Sequence, residues 1–185
     1  MVVTRMPTAQ DVLEFWFEQS TPEQHFRKDD AFDAVIRERF AEPHAAAASG
    51  ELATWRDAPD GRLAEIIVLD QFSRNLFRNN PRAFSTDPMA LVLAQEAIRV
   101  GADRAMPVPR RAFLYMPFMH SESRVIHVDA ERLFRQSGLE RNYDYELKHK
   151  AIIDRFGRYP HRNAALGRPS TPEELAFLAQ PDSSF

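Results

Sequence analysis

The sequence predicts an all-α fold, and three features carry that expectation. Apolar residues recur at helical spacing in one segment after another, helix start and stop residues punctuate those segments, and no stretch shows sustained two-residue alternation with hairpin turns. A chain of 185 residues suffices for one well-buried domain, taken as 1–185, and 14 Phe against 6 Gly favour an aromatic helical core. Short connections favour antiparallel neighbours, hence a bundle or a stack of helical hairpins, about eight helices in all.

Taken in order, Thr8 with Asp11 three residues on marks a helix start, and Val12, Leu13, Phe15, Trp16 and Phe17 follow as an apolar helix. The segment Thr21-Pro22-Glu23-Gln24 repeats the signal, with Pro at the first helical position and Gln at the capping-box position. From Asp29, Phe32, Val35, Ile36, Arg39 and Phe40 have helical spacing, Pro43 predicts a kink or break before Ala45, and Gly50 fits a C-cap. Pro59, Asp60 and Gly61 precede Leu63 to Arg78, whose first turns are apolar nearly all round, as in a helix enclosed by neighbours on every side. The next helix starts at Asp87-Pro88 and runs through Leu91, Ala94, Gln95 and Ile98 to Gly101. Met106 to Pro109 reads as a loop, and Ala112 to Met116 as an apolar helix bent by Pro117. A further helix is expected from His120-Ser121-Glu122 through Ile126, Ala130, Leu133 and Phe134 to Gly138. Another runs from about Tyr143 to Phe156, with Tyr145, His149, Ile152, Ile153 and Phe156 on one face and Gly157 as its stop. Thr171-Pro172-Glu173-Glu174 opens a last short helix that Leu175 and Leu178 should dock.

Composition narrows the function classes. A net charge of −3 gives no general attraction to nucleic acid or to an anionic membrane. Without cysteine there is no disulfide, thiolate metal site or Cys nucleophile. The leading residues form no long apolar run, and no stretch approaches the roughly 18 apolar residues of a membrane span, so a cytoplasmic location is expected. There is no Gly-x-Ser-x-Gly elbow, Walker lysine loop or Gly-rich dinucleotide fingerprint, and no cofactor is expected.

Polar residues on faces that should be buried are the functional signal. At roughly 100° per residue, Asp70, Gln71, Arg74, Asn75 and Arg78 share one arc that continues the apolar stripe of Leu63 and Ile67. Glu122 lies on the side of Ile126 and Leu133, and His149 among Ile152, Ile153 and Phe156. Between Arg155 and Arg168 the chain gathers Arg155, Arg158, His161, Arg162, Asn163 and Arg168. Arginine forks suit carboxylates and phosphates alike, which leaves two readings. Either Arg158, Arg162 and Asn163 tie their loop to Asp70, Asp87, Glu122 and helix carbonyls, or they line a cavity for an anionic ligand. His120 and Glu122 likewise read either as a bend and a first-turn acid or, with His149, as a base and a proton carrier. A metal bound by His120, Glu122, His149, His161 and Asp70 is a weaker alternative, because no two histidines have the spacing of a zincin helix.

Trp55, Leu69-Asp70-Gln71-Phe72-x-Arg74-Asn75 with Arg78, Phe84-x-x-Asp87, Pro117-x-x-His120-Ser121-Glu122, His149, Arg155-Phe156-Gly157-Arg158-Tyr159-Pro160-His161-Arg162-Asn163 and Leu166-Gly167-Arg168 together resemble the bacterial domain-of-unknown-function family 924. The resemblance spans nearly the whole chain. It implies a tetratricopeptide-repeat-like helical fold, although the repeat consensus is absent, and His127 stands where a Gln is expected. Its signature residues are polar ones, which favours a shared pocket. The leading expectation is a pocket binding a small anionic metabolite, with Asp70, Arg74, Asn75, Arg158, His161, Arg162 and Asn163 as binding residues and His120, Glu122 and His149 available for acid/base work. A peptide-binding interaction module and a metal-dependent hydrolase are the alternatives.

Overall fold

A computed structural model describes residues 5–181 and Ser183, and all regular structure among them is helical. The expectation about the leading residues concerns in part positions 1–4, which lie outside the described residues.

Helix α1 (Ala9–Glu14) is closed by the anticipated capping box, Thr8 accepting from the Asp11 N–H and the Asp11 carboxylate accepting from the Thr8 N–H at 2.6 Å. It continues into a π-helical turn, Phe15–Gln19. The short α2 (Pro22–Phe26) uses the same device with Thr21 and Gln24. α3 (Asp30–Ala48) is capped by Asp29, which accepts from the Ala31 and Phe32 N–H groups at 3.0 Å. It runs on through Pro43 without a break. A helical proline forfeits one backbone hydrogen bond, and burial of Phe40, Pro43, His44 and Ala47 on one face offsets that loss.

The central helix comprises α4 (Pro59–Ile67), a π turn (Val68–Phe72) and α5 (Ser73–Leu76). Every residue from Leu63 to Ser73 is buried, as its apolar sequence predicts. α4 packs on α1 and on the single-turn helix Ala53–Asp57 that precedes it. That second contact depends on Gly61, where a Cβ would lie 1.9 Å from the Trp55 carbonyl oxygen. The other neighbours of α4 are α6 (Asp87–Arg99) and α7 (Val108–Met119).

α7 begins inside the expected loop, since Pro109 falls in its first turn where no N–H is needed, and it passes through Pro117 as a continuous helix. α8 (Arg124–Phe134) begins later than expected. Residues 120–123 cap α7 and form the connecting turn, which is what frees His120 and Glu122 from a helical face. α9 (Glu140–Phe156) starts earlier and ends at Gly157, whose φ of 71° supplies the left-handed stop. Its inward face is Glu146, His149, Ile152 and Ile153; Tyr145, expected there, is 40% exposed. α10 (Asn163–Leu166) and α11 (Pro172–Leu178) complete the chain. Leu175, expected to dock α11, is 58% exposed; the buried Glu174 and the Phe177–Phe156 ring contact do so instead.

Candidate functional site

Asp70 sits in the middle of the π turn of the central helix and is fully buried. Its Oδ1 lies 2.7 Å from Nδ1 of His120, the residue that caps α7, and Gln71 Nε2 donates to its Oδ2 at 2.7 Å. Burial works against the Asp70 carboxylate, but the charges of His120 and Arg74 and the two hydrogen bonds outweigh it and hold Asp70 well below the usual carboxylate range. His120 is pushed below the ordinary imidazole value, first by burial and then by Arg74, against the pull of Asp70. An ionised carboxylate can only accept. The His120 proton therefore sits on Nδ1, and Nε2 presents its lone pair with no hydrogen-bond partner among the described residues.

His120 lines a pocket of about 580 Å³. One side is apolar, made by Pro81, Phe84, Pro88, Leu91, Pro117 and Leu166; the polar side is Ser85, Asp87, His120, Ser121, Glu122 and Arg162. Asp87 stands at the N-terminus of α6 and is held by both nitrogens of the Arg74 fork at 3.0 Å, while Arg162 Nη1 reaches its Oδ2 at 3.3 Å. The Arg162 guanidinium lies 4.6 Å from the ring centres of both Phe84 and Tyr159 and donates through Nη2 to the His120 carbonyl at 3.0 Å. Its Nε is buried and has no hydrogen-bond partner among the described residues. Glu122 shares the rim, but Arg168 grips both its oxygens at 2.7 and 2.8 Å and the Tyr159 N–H donates to Oε1 at 2.7 Å, so it is a counter-ion rather than an open base.

Behind the pocket Tyr159 is a buried hub. Its hydroxyl donates to the Met119 carbonyl at 2.5 Å, and the rings of His149 and His161 approach it at 5.7 and 5.5 Å. His127 Nε2 lies 3.2 Å from the same hydroxyl and 2.8 Å from the Ser121 carbonyl, and its Nδ1 meets Glu146 Oε1 at 2.7 Å. A carbonyl only accepts, so Nε2 carries hydrogen while Nδ1 and Glu146 share one proton; burial pushes the Glu146 carboxyl up. Burial likewise lowers His149 to about 3 and His161 to about 4, so both rings are neutral near pH 7.

Asp70, Arg74, His120 and Arg162 thus converge from distant parts of the chain, with His149 and His161 one layer behind. His149 is 6.4 Å from His120 between ring centres, and its Nδ1 meets the Tyr145 carbonyl at 2.7 Å. Asn75, Arg158 and Asn163 are placed elsewhere. Asn75 donates to Asp33 on α3 at 2.8 Å, alongside the Arg78–Asp33 ion pair. Arg158 binds Glu174 through Nε and Nη2 at 2.6 and 2.8 Å, and Asn163 donates to Ser170 at 3.1 Å. The polar arc of the central helix spans about 140°, wide enough to address two neighbours at once. Sequence reasoning passed over Glu146, although it stands three residues before His149 on the same buried face. Among the described residues no three His, Asp or Glu side chains form a metal-binding group.

The model of a family described as bacterial protein of unknown function matches residues 12–182. The chain belongs to DUF924. A solved structure of a protein of unknown function from Agrobacterium tumefaciens is similar to this DUF924 chain, with 40% identity and a TM-score of 0.88 over 92% of this chain and 96% of that one. No curated protein matches.

Proposed function

We propose that this DUF924 protein binds a small acidic metabolite in the pocket of Arg162 and His120, and that His120 exchanges a proton with the bound molecule. The observation that carries the reading is His120, which lines the cavity while the buried Asp70 behind it fixes its tautomer at 2.7 Å and leaves Nε2 as the basic nitrogen. Arg162 supplies the recognition element. It lines the cavity, and an incoming oxygen anion would add to the contacts its fork makes with Asp87 and the His120 carbonyl. Of the residues first considered, Asp70 and Arg74 orient the pair, His149 and His161 insulate it, and Glu122 steadies the rim through Arg168.

A thermal-shift screen of carboxylated and phosphorylated metabolites tests this. Ligand present at a hundred times its dissociation constant stabilises by about 2.7 kcal/mol, a rise of roughly 5–10 °C for a chain of this size. The expected result is a stabilising acid whose effect disappears in Arg162→Ala. Equal stabilisation of the Arg162→Ala protein would refute the assignment.

A further inference from the structure

The charges around this pocket cancel. Arg74 and Arg162 face Asp70 and Asp87, and Arg168 is matched to Glu122, so three guanidiniums meet three carboxylates. The histidines in contact with the group, His149 from α9 and His161 from the loop after it, are neutral near pH 7. Nothing in the wall therefore holds a positive charge in reserve. Arg162 and His120 line the same cavity, and a carboxylate lodged between the two would set its oxygens against the lone pair of His120 Nε2, an acceptor facing an acceptor. One event removes both difficulties, protonation of Nε2: it supplies the missing positive charge, turns the acceptor into a donor, and leaves the imidazolium against Asp70.

Resting on the proposed acid-binding role, we infer that the ligand is an apolar monocarboxylic acid, and that it enters with one proton that settles on His120. The stoichiometry follows from the charge inventory. A phosphate dianion or a dicarboxylate would bring a second charge that no group can match, and a buried unmatched charge is expensive. The apolar character follows from the walls. The carboxylate takes the Arg162 and His120 corner on the polar side, whereas Phe84, Leu91, Leu166 and three prolines make the apolar side, which offers the rest of the ligand no side-chain hydrogen bond. Every charged or titratable group facing His120 enters this balance: Asp70 from the π turn, Arg74 from α5, Asp87 from α6, Glu122 from its own turn, His149 from α9, and His161 and Arg162 from the loop after α9.

The test is titration calorimetry of the full chain with phenylacetate, its neutral analogue phenylacetamide, and inorganic phosphate, each in buffers of different ionisation enthalpy. Phenylacetate is expected to bind with uptake approaching one proton near pH 7. Between the His120 pKa of the free protein and that of the complex, affinity should fall about tenfold per pH unit, because proton and ligand stabilise each other equally. Phenylacetamide should take up no proton, and phosphate should bind at least tenfold more weakly. In His120→Gln, whose amide can still donate to Asp70, the proton uptake and the pH slope should vanish. Phosphate binding more tightly than phenylacetate, or phenylacetate binding with no proton uptake, would overturn this inference while leaving an acid-binding pocket in place. If none of the anions binds, or if Arg162→Ala binds them unchanged, the acid-binding role falls with it.

Discussion

At the scale of single residues, the decisive arrangement is a carboxylate with no exposure holding an imidazole at a cavity wall. The Asp70→Asn substitution keeps the shape and removes the charge. The His120 ring is then expected to become harder to protonate, since the one strong force favouring the imidazolium is gone while Arg74 stays close. An NMR titration of the ring should show its midpoint moving down; a midpoint that moves up or stays put would break the proposed coupling. Much of this was legible from the sequence, because Asp70 and Arg74 stand on a stripe continuous with Leu63 and Ile67, and a charge on such a stripe needs a partner. The identity of the partner was not legible. His120 lies fifty residues away, and its orientation depends on where α7 stops, a boundary that Pro117 obscured. Tyr159 was legible only in part: a tyrosine among arginines reads as a core anchor of its loop, and here its buried ring also packs beside those of His127, His149 and His161.

Elements explain how those residues are delivered. The π turn Val68–Phe72 lies where the central helix passes from wholly apolar to polar, a place where an extra residue in the turn often marks a site. Its Leu69 carbonyl accepts from the Ser73 and Thr86 hydroxyls at 2.6 and 2.7 Å, and Thr86 leads directly into Asp87. The turn and the start of α6 are thereby fastened to each other, which fixes Asp87 relative to Asp70. The entry to the helix is just as constrained. Gly61→Ala would push a methyl into the Trp55 carbonyl at 1.9 Å, a backbone atom that cannot step aside. It is expected to cost about 3 kcal/mol and lower the melting temperature by roughly 6–12 °C; a calorimetric scan within 2 °C of the parent would show that the Trp55 segment is looser than it looks. The sequence marked Gly61 only as punctuation. The close approach that requires it comes from tertiary packing, which composition does not encode. At Pro43 the helix does not break, since packing on a neighbour can hold a helix together where local geometry alone would interrupt it.

The molecule as a whole carries a pH dependence. Burial lowers His44 and His161 to about 4 and His149 to about 3, so the unfolded chain takes up protons below its ordinary imidazole value near 6.5 that the folded chain refuses. Because the unfolded state binds more protons there, stability must fall as the pH drops from about 6.5 towards 4. Each such group contributes a slope of about 1.4 kcal/mol per pH unit. Below that window Asp70, Glu122 and Glu174, all held under their usual values, add to the loss. Urea unfolding midpoints measured at pH 7, 6, 5 and 4 are expected to decline steadily, and His44→Gln should flatten the slope, since a neutral amide has no proton to refuse. A flat profile down to pH 5 would mean that these rings are solvated.

The pocket draws its walls from three separate stretches of chain, 81–91, 117–122 and 162–166, and the last of them, with Arg162 and Leu166, belongs to the terminal segment. That segment is fastened to the rest of the chain by Arg168–Glu122, Arg162–Asp87 and the Tyr159 hydroxyl on the Met119 carbonyl, and its buried apolar residues cluster apart from the main core. The final portion of the polypeptide therefore behaves as a clasp: if it loosens, the binding cavity comes apart while the aromatic interior around Trp16 and Phe72 remains intact. Occupancy of the cavity should accordingly be readable as slowed amide exchange and resistance to limited proteolysis in residues 158–178, long before any change registers in α1 or α3.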